Sequence, residues 1–456
     1  MTRSRRRRPG TAFVVVVLCV LGLLTVVPQR ATAAPNYSGD PVHYWNGVLL
    51  ELFRRVDEPP GKVTRAAAML NIAVYDAESA YQRTWHTMVY QPYLGAPRYS
   101  GPPFLEGPDE EERVIGRTAY RMLTRLYPSQ ANFLENRFQN RFGTAPDAFD
   151  ILDILVVNPV VQQTMNARAD DGHDDPRPYS ADGVPGAWRP TDSKCTAASQ
   201  AATPFWGEVR PFAIPSGAHF RPPTPQLYAS YDALLASPEY RTQVDEVRRL
   251  GGAASTERTV EQTAIGWFWA NEVPGTYKPP GQLLEHTSIV AAQQRLTVYQ
   301  NARLFALVSL ALADAAIAEW DVKYLTPIDL WRPVSAIRDT GLDPNWQPLS
   351  ADRNGVHFTP CFPAWASGHA TFGGAWARVM RGFFNGVDAI TFEATTEDPH
   401  SPVRTRRFTS FSQAAEENAQ SRVYLGVHYS WDARDGLKLG DDVAGQVLAT
   451  KLLKIT

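Results

Sequence analysis

Ser421-Arg422-Val423-Tyr424-Leu425-Gly426-Val427-His428 is the stretch from which the chain is best read. It buries an arginine among apolar neighbours and ends on a histidine just past a glycine. Two upstream stretches share its character: Ser367-Gly368-His369, and Trp331-Arg332-Pro333 with Lys323 shortly before it. Together they supply two arginines, a lysine, two histidines, a serine hydroxyl and a glycine N–H. Guanidinium forks pair with the oxygens of a tetrahedral oxyanion, and a histidine can bond its central atom. An oxyanion in a protein interior needs that much compensation. No carboxylate pair or Cys/His zinc cluster competes with this set.

Working outward, helical periodicity dominates. Val42, Trp45, Val48, Leu49, Leu52 and Phe53 form one stripe over residues 41–56, and a second helix runs over 62–80 after the Pro59-Pro60-Gly61 breaker. Further helices are expected at about 110–126, 129–142, 146–168, 227–250, 257–272, 282–320, 369–383, 412–427 and 433–452. Strand alternation is scarce, so the fold class is all-α. Residues 170–226 are rich in Pro, Gly, Asp and Ser yet hold Trp188, Phe205, Trp206 and Phe212. Those aromatics point to an ordered wrap over the helices rather than a loose linker. Within it, Pro215-Ser216-Gly217-Ala218-His219 imitates the Ser-Gly-His stretch with one residue too many, and is set aside as a decoy. The chain divides into a leader (1–33), an N-terminal helical region (34–300) and a C-terminal helical region (301–456) that carries the oxyanion site, the last two forming one structural domain.

The leader has a basic start (Arg3, Arg5, Arg6, Arg7, Arg8), an apolar run from Ala12 to Val27 and the small-x-small sequence Ala31-Thr32-Ala33. This is the pattern of a secretory signal peptide cleaved after Ala33, and it predicts an extracellular protein. Removing those residues takes six arginines and no acids, moving the formal charge from −2 to −8. An acidic mature chain argues against nucleic acid and against stable membrane association. Only Cys195 and Cys361 then remain, either as one disulfide or as two buried thiols. Oligomeric state leaves no trace in the sequence.

Lys323…Arg332-Pro333, Ser367-Gly368-His369 and Ser421-Arg422…Gly426-x-His428, in this order, resemble the three motifs of the acid phosphatase/vanadium haloperoxidase superfamily. The wording of Trp331–Asp339, Phe362–Ala375 and Ser421–His428 is similar to its vanadium chloroperoxidase branch. The likeness is strongest over about residues 318–436. It implies a helical-bundle core with the site at its centre. It also implies a vanadate cofactor, with no haem and no flavin, bonded at His428 and held by Lys323, Arg332, Ser367, Gly368 and Arg422. The implied reactants are hydrogen peroxide, a halide and a small organic molecule, with Lys323 contacting the peroxide. The alternative is an acid phosphatase in which His428 attacks phosphorus and His369 protonates the leaving alcohol.

Residue chemistry fits these roles. Arg332 and Arg422 cannot release their protons at working pH. Gly368 and Ser367 open a helix, where N–H groups face outward; Ser367 also suits the helix N-cap. His369 can hold or deliver a proton. His428 must keep one nitrogen free, so the other needs an acceptor. Asp432, four residues on, serves either as that acceptor or as a helix N-cap or surface carboxylate. Among the remaining histidines, His357 stands closest to a motif. Trp320 and Phe362 match positions that line the halide side of the pocket in chloroperoxidases. Two departures bear on the likeness. Eight residues separate Lys323 from Arg332 where the family has six, and Ala366 stands where proline is usual.

Overall fold

Helix α10 (Val298–Tyr324) is the axis on which everything else is laid. The computed structural model describes residues 39–99, 107–191 and 194–456; the leader lies outside them. α10 is apolar and long enough to cross a membrane, but it is buried inside the protein. The other helices are α1 (Pro41–Val56), α2 (Pro60–Trp85), α3 (Pro108–Leu126), α4 (Ala131–Phe142), α5 (Asn158–Ala167), α6 (Tyr231–Ala236), α7 (Pro238–Gly251), α8 (Val260–Ala270), α9 (Lys278–Gln293), α11 (Pro333–Asp339), α12 (Gly368–Phe383), α13 (Phe411–Tyr424) and α14 (Ser430–Thr450). α2, α12 and α14 pack around α10, and α13 lies on α12. Residues 37–456 form one compact unit. The all-α reading holds, since the described residues add only one two-stranded antiparallel sheet, β1 (Phe392–Thr395) with β2 (Thr405–Phe408), in which Phe392 faces Phe408.

Several boundaries differ from the sequence reading, each for a local reason. The helix expected over 282–320 is two. Arg295 takes a left-handed φ of 52°, and Thr297 restarts the chain with a reciprocal cap: its hydroxyl accepts Gln300 N while Gln300 Oε1 accepts Thr297 N. The 227–250 helix breaks at Ser237, which caps α7 ahead of Pro238. The 146–168 helix begins only after residue 150 and contains a π turn over Asp153–Val157. α11, missing from the periodicity because it is so short, starts on Pro333.

Among the described residues of the 170–226 segment, the helical elements are short 3₁₀ turns. Asp314 on α10 accepts the backbone N–H groups of Phe212, Ala213 and Ile214 at 2.7, 2.7 and 2.9 Å, pinning the wrap to the central helix. Trp188, Trp206 and Phe212 are buried beneath it. Where α12 crosses α14 the backbones nearly touch: a Cβ on Gly440 would lie 2.0 Å from the Thr371 carbonyl oxygen. Glycine permits that approach, and it brings the start of α12 beside the start of α14.

Candidate active site

The three motifs converge at the N-terminal ends of α12 and α14. α10 delivers Lys323 in its last turn, and the chain then makes an outward bulge with Pro327 exposed at its tip. Thr326 Oγ1 bonds back to Val322 O at 2.7 Å, and Gln226 Nε2 ties the bulge down through Thr326 Oγ1 and Ile328 O. The two extra residues are absorbed there, so Lys323 remains beside the other motifs. Its ammonium is fully buried and faces the 363–366 loop, donating to Pro363 O (3.0 Å), Ala364 O (3.1 Å) and Ala366 O. Three donors are thereby spent on three carbonyls. Glu319, one helical turn earlier, adds an ion pair at 3.2 Å. Burial lowers the lysine to about 8, against the pull of Glu319.

Arg332 is also fully buried. Nε donates to Phe362 O (2.7 Å), and Nη1 donates to Val427 O (2.8 Å) and lies 3.1 Å from His428 Nε2. Nη2 has no partner. Arg422, on the last turn of α13, gives Nη2 to Glu272 Oε1 at 2.6 Å, while its Nε and Nη1 have none. Gly426, at φ 75°, turns the chain out of α13 so that Val427 and His428 come back across Arg332.

His428 Nδ1 lies 2.9 Å from Asp432 Oδ2, and the same oxygen accepts Tyr429 N at 3.1 Å. Asp432 is therefore the acceptor behind His428; it is neither the N-cap, which is Tyr429, nor a surface carboxylate, and from the third helical position it accepts the N-cap N–H. A carboxylate at Nδ1 makes that nitrogen the donor and leaves Nε2 with its lone pair. Burial, reinforced by Arg332 and Lys323, holds His428 well below the ordinary histidine range, so the ring is neutral. His369, in the first turn of α12, has Nε2 within 3.0 Å of Trp269 O and 3.2 Å of Ala270 O. Two carbonyls there require Nε2 to carry a proton. Nδ1 is the exchangeable position, 4.0 Å from Glu272 Oε1. Burial and the neighbouring Arg422 hold His369 low as well.

Ser367 sits at the N-cap of α12, but its hydroxyl makes no cap bond and has no partner. Its carbonyl serves the helix instead, accepting Thr371 N and Thr371 Oγ1 at 2.9 Å each. Gly368 is the first helical residue, and a Cβ there would lie 2.7 Å from Glu319 Oε1. Trp320 and Phe362 meet with ring centroids 5.2 Å apart. The Phe362 ring also lies 5.0 Å from Lys323 Nζ and 4.7 Å from the Arg332 guanidinium carbon, within cation–π range. The decoy His219 is exposed and joins none of this. His357 bonds only to Ser350 O, at 3.3 Å, among the contacts described.

Sequence reasoning missed Glu272 and Glu319. Glu319 carried a signal, the i,i+4 spacing to Lys323. Glu272 carried none, because it reaches Arg422 across 150 residues.

Among the described residues, Arg332 Nη2, Arg422 Nε and Nη1 and Ser367 Oγ are buried donors without acceptors, gathered near His428 Nε2, whose lone pair meets only Arg332 Nη1. Leaving such groups unmet is costly. The donor set therefore fits a tetrahedral oxyanion bonded at His428 Nε2.

Comparison with known proteins agrees. The profile of the VCPO second helical-bundle domain matches residues 303–454. The chain is 28% identical to vanadium chloroperoxidase of Curvularia inaequalis, over 91% of its own length and 82% of the relative's. It is also 28% identical to the vanadium-dependent bromoperoxidase of Ascophyllum nodosum, over 35% of the chain and 31% of that protein. Among solved structures, a bacterial vanadium-dependent iodoperoxidase superposes with a TM-score of 0.73 at 24% identity, covering 91% of this chain and 98% of that one. A holo-type bacterial vanadium-dependent chloroperoxidase superposes with a TM-score of 0.67 at 17% identity, covering 86% and 92%. These superpositions speak for the fold. With the ordered motifs and the likeness to the Curvularia protein over most of both chains, they show a chain similar to the vanadium haloperoxidases, with residues 303–454 matching that second helical-bundle domain.

Proposed function

We propose that the protein is an exported vanadium-dependent haloperoxidase that uses hydrogen peroxide to oxidise halide to hypohalous acid, which then halogenates small organic molecules. The observation that carries this reading is the group of unmet buried donors on Arg332, Arg422 and Ser367 beside His428 Nε2. His428 would bond vanadium, and Arg332, Arg422, Ser367 and the start of α12 at Gly368 would hold the oxygens, with Lys323 adding its charge. When bound, vanadate supplies Lewis-acid activation of peroxide toward halide without changing oxidation state. The chain's own groups do the rest. Asp432 fixes the His428 tautomer. His369 Nδ1 holds and passes the proton. Trp320 and Phe362 form a low-polarity wall where a halide sheds water at reduced cost. The Cys195–Cys361 disulfide suits an oxidising compartment and supports export.

A phosphomonoesterase reading uses the same neutral His428 Nε2 as nucleophile and His369 as acid. The aromatic pair against Lys323 and Arg332 favours the haloperoxidase. The test is to purify the protein, measure peroxide-dependent bromide oxidation after adding orthovanadate, and measure phosphate-ester turnover on the vanadate-free form. Bromide oxidation that requires vanadate is the expected result. Phosphatase turnover with no bromide oxidation would overturn it.

A further inference from the structure

The halide-side wall is held from outside by a short piece of the wrap. Ala202 stands between its two aromatics. Its N–H donates to Cys361 O at 3.0 Å, and its carbonyl accepts Trp320 Nε1 at 2.9 Å. Phe362 follows Cys361 directly, so one backbone unit of the wrap joins both rings. Thr191 and Thr359 hydroxyls meet at 2.8 Å along the same seam. Cys195 closes the seam covalently onto Cys361, and Cys195 is 1% exposed. Past Phe362, the segment is fixed by Ala364 N to Leu330 O (2.8 Å) and Ser367 N to Asp432 O (3.1 Å). On the near side, Phe358 N bonds to Ser350 O at 3.2 Å, and the contacts across to the wrap follow. Arg332 Nε holds Phe362 O at 2.7 Å from within the site, and the disulfide adds a covalent hold on the preceding residue from a separate segment of chain.

We propose that the Cys195–Cys361 disulfide is a positioning element for halide binding, with residues 195–202 acting as a clasp that sets Phe362 against Trp320. The proposal rests on the haloperoxidase reading for its effect on halide, but not for the clasp itself. Neither cysteine touches a reacting group, so both act through Phe362. Arg422 and His428 are attached away from this segment, to Glu272 and Asp432, and keep their places when the clasp is opened; Lys323 and Arg332 stay joined to residues 362–366 by their own bonds to backbone carbonyls there.

The experiment compares the parent with Cys195→Ala, Cys361→Ala and the double variant. Amide hydrogen exchange, peptide mapping of the unfolded parent after thiol alkylation, retained vanadium and the bromide KM are the readouts. A linked peptide pair is expected from the parent. In each variant, exchange over residues 358–363 should rise about tenfold or more as the segment opens locally, while residues 421–428 keep parental protection. The bromide KM should rise about tenfold, with vanadium retention within about twofold and kcat little changed. Because one bond is being removed, the double variant should match each single variant. Alkylated, unlinked cysteines in the parent, or parental exchange in the variants, would overturn the clasp. Additive effects of the two substitutions would overturn it too. A loosened segment with an unchanged bromide KM would overturn its link to halide. If the parent neither retains vanadium nor oxidises bromide while exchange still rises, the enzymatic reading has failed and the clasp stands.

Discussion

Asp432→Asn tests how the site keeps His428 ready. Asp432 Oδ2 accepts from both His428 Nδ1 and Tyr429 N. An amide oxygen in the Oδ2 position can still accept both, and its NH₂ then takes the place of Oδ1, which has no hydrogen-bond partner among the described residues. The tautomer is kept, but the negative charge behind the ring is lost, so His428 Nε2, 3.1 Å from Arg332 Nη1, becomes a weaker donor to vanadium. Outer partners of this kind are worth about 10- to 100-fold in metal affinity, or about 1.4–2.7 kcal/mol.

The fold should survive the change. Burial raises the Asp432 carboxyl to about 7, so a neutral group is tolerated there and melting temperature should move little. Equilibrium dialysis against orthovanadate, with His428→Ala as the reference for a lost ligand, reads the effect. Expected is a loss of affinity of about 10-fold or more, smaller than that of His428→Ala, at unchanged melting temperature. Parental vanadate affinity in Asp432→Asn would refute the argument that the Asp432 charge supports His428.

Three further predictions rest on the same geometry. Arg332→Ala and Arg422→Ala should each weaken phosphate or vanadate binding by roughly 2–4 kcal/mol, since each removes a buried charged donor; Arg210→Ala, on the wrap, should not, and equal losses at all three by titration calorimetry would indicate general destabilisation. Gly368→Ala should lower stability by about 1–3 kcal/mol through overpacking against Glu319 Oε1, and in chemical denaturation its cost should be smaller when measured in a Glu319→Ala background than in the parent. Burial puts Lys323 near 8 instead of its ordinary range. Its charge is therefore present below that pH and lost above it, so the affinity advantage of the parent over Lys323→Met should shrink as pH rises from 7 to 9, and an advantage constant with pH would contradict it.

How much was legible follows from how far each signal reaches along the chain. Arg332, Arg422, Ser367, Gly368, His369 and His428 declare themselves because charged or reactive groups sit in otherwise apolar helical sequence, and burial of that chemistry needs a purpose. The helices of the core were readable from 3.6-residue periodicity. The division between α9 and α10 was not, because a left-handed Arg295 and a four-residue cap interrupt the pattern without a glycine or proline. The 392–408 hairpin escaped because its strands are four residues each. The hydroxyl of Ser367 was open to two readings, and only its lack of a cap bond separates them. Whether Cys195 and Cys361 pair is a question of folding across 166 residues, which spacing cannot answer.

The carboxylates change what the cations mean. Read from sequence, Lys323, Arg332 and Arg422 look like a strongly positive pocket. In the fold each has an acidic neighbour: Glu319 pairs with Lys323, Glu272 with Arg422, and Asp432 stands behind His428 next to Arg332. Net charge alone therefore cannot drive anion capture. The driving force is instead local: unmet N–H and O–H donors whose bonds an oxyanion completes, in a place where water is excluded and each such bond is worth more. Glu319 and Asp432, each raised by burial to about 7, can take up protons as a second negative charge arrives. On the haloperoxidase reading proposed above, a pocket built this way would select for oxygens arranged to meet its donors over any anion of equal charge, and would leave chloride or bromide to the aromatic wall of Trp320 and Phe362.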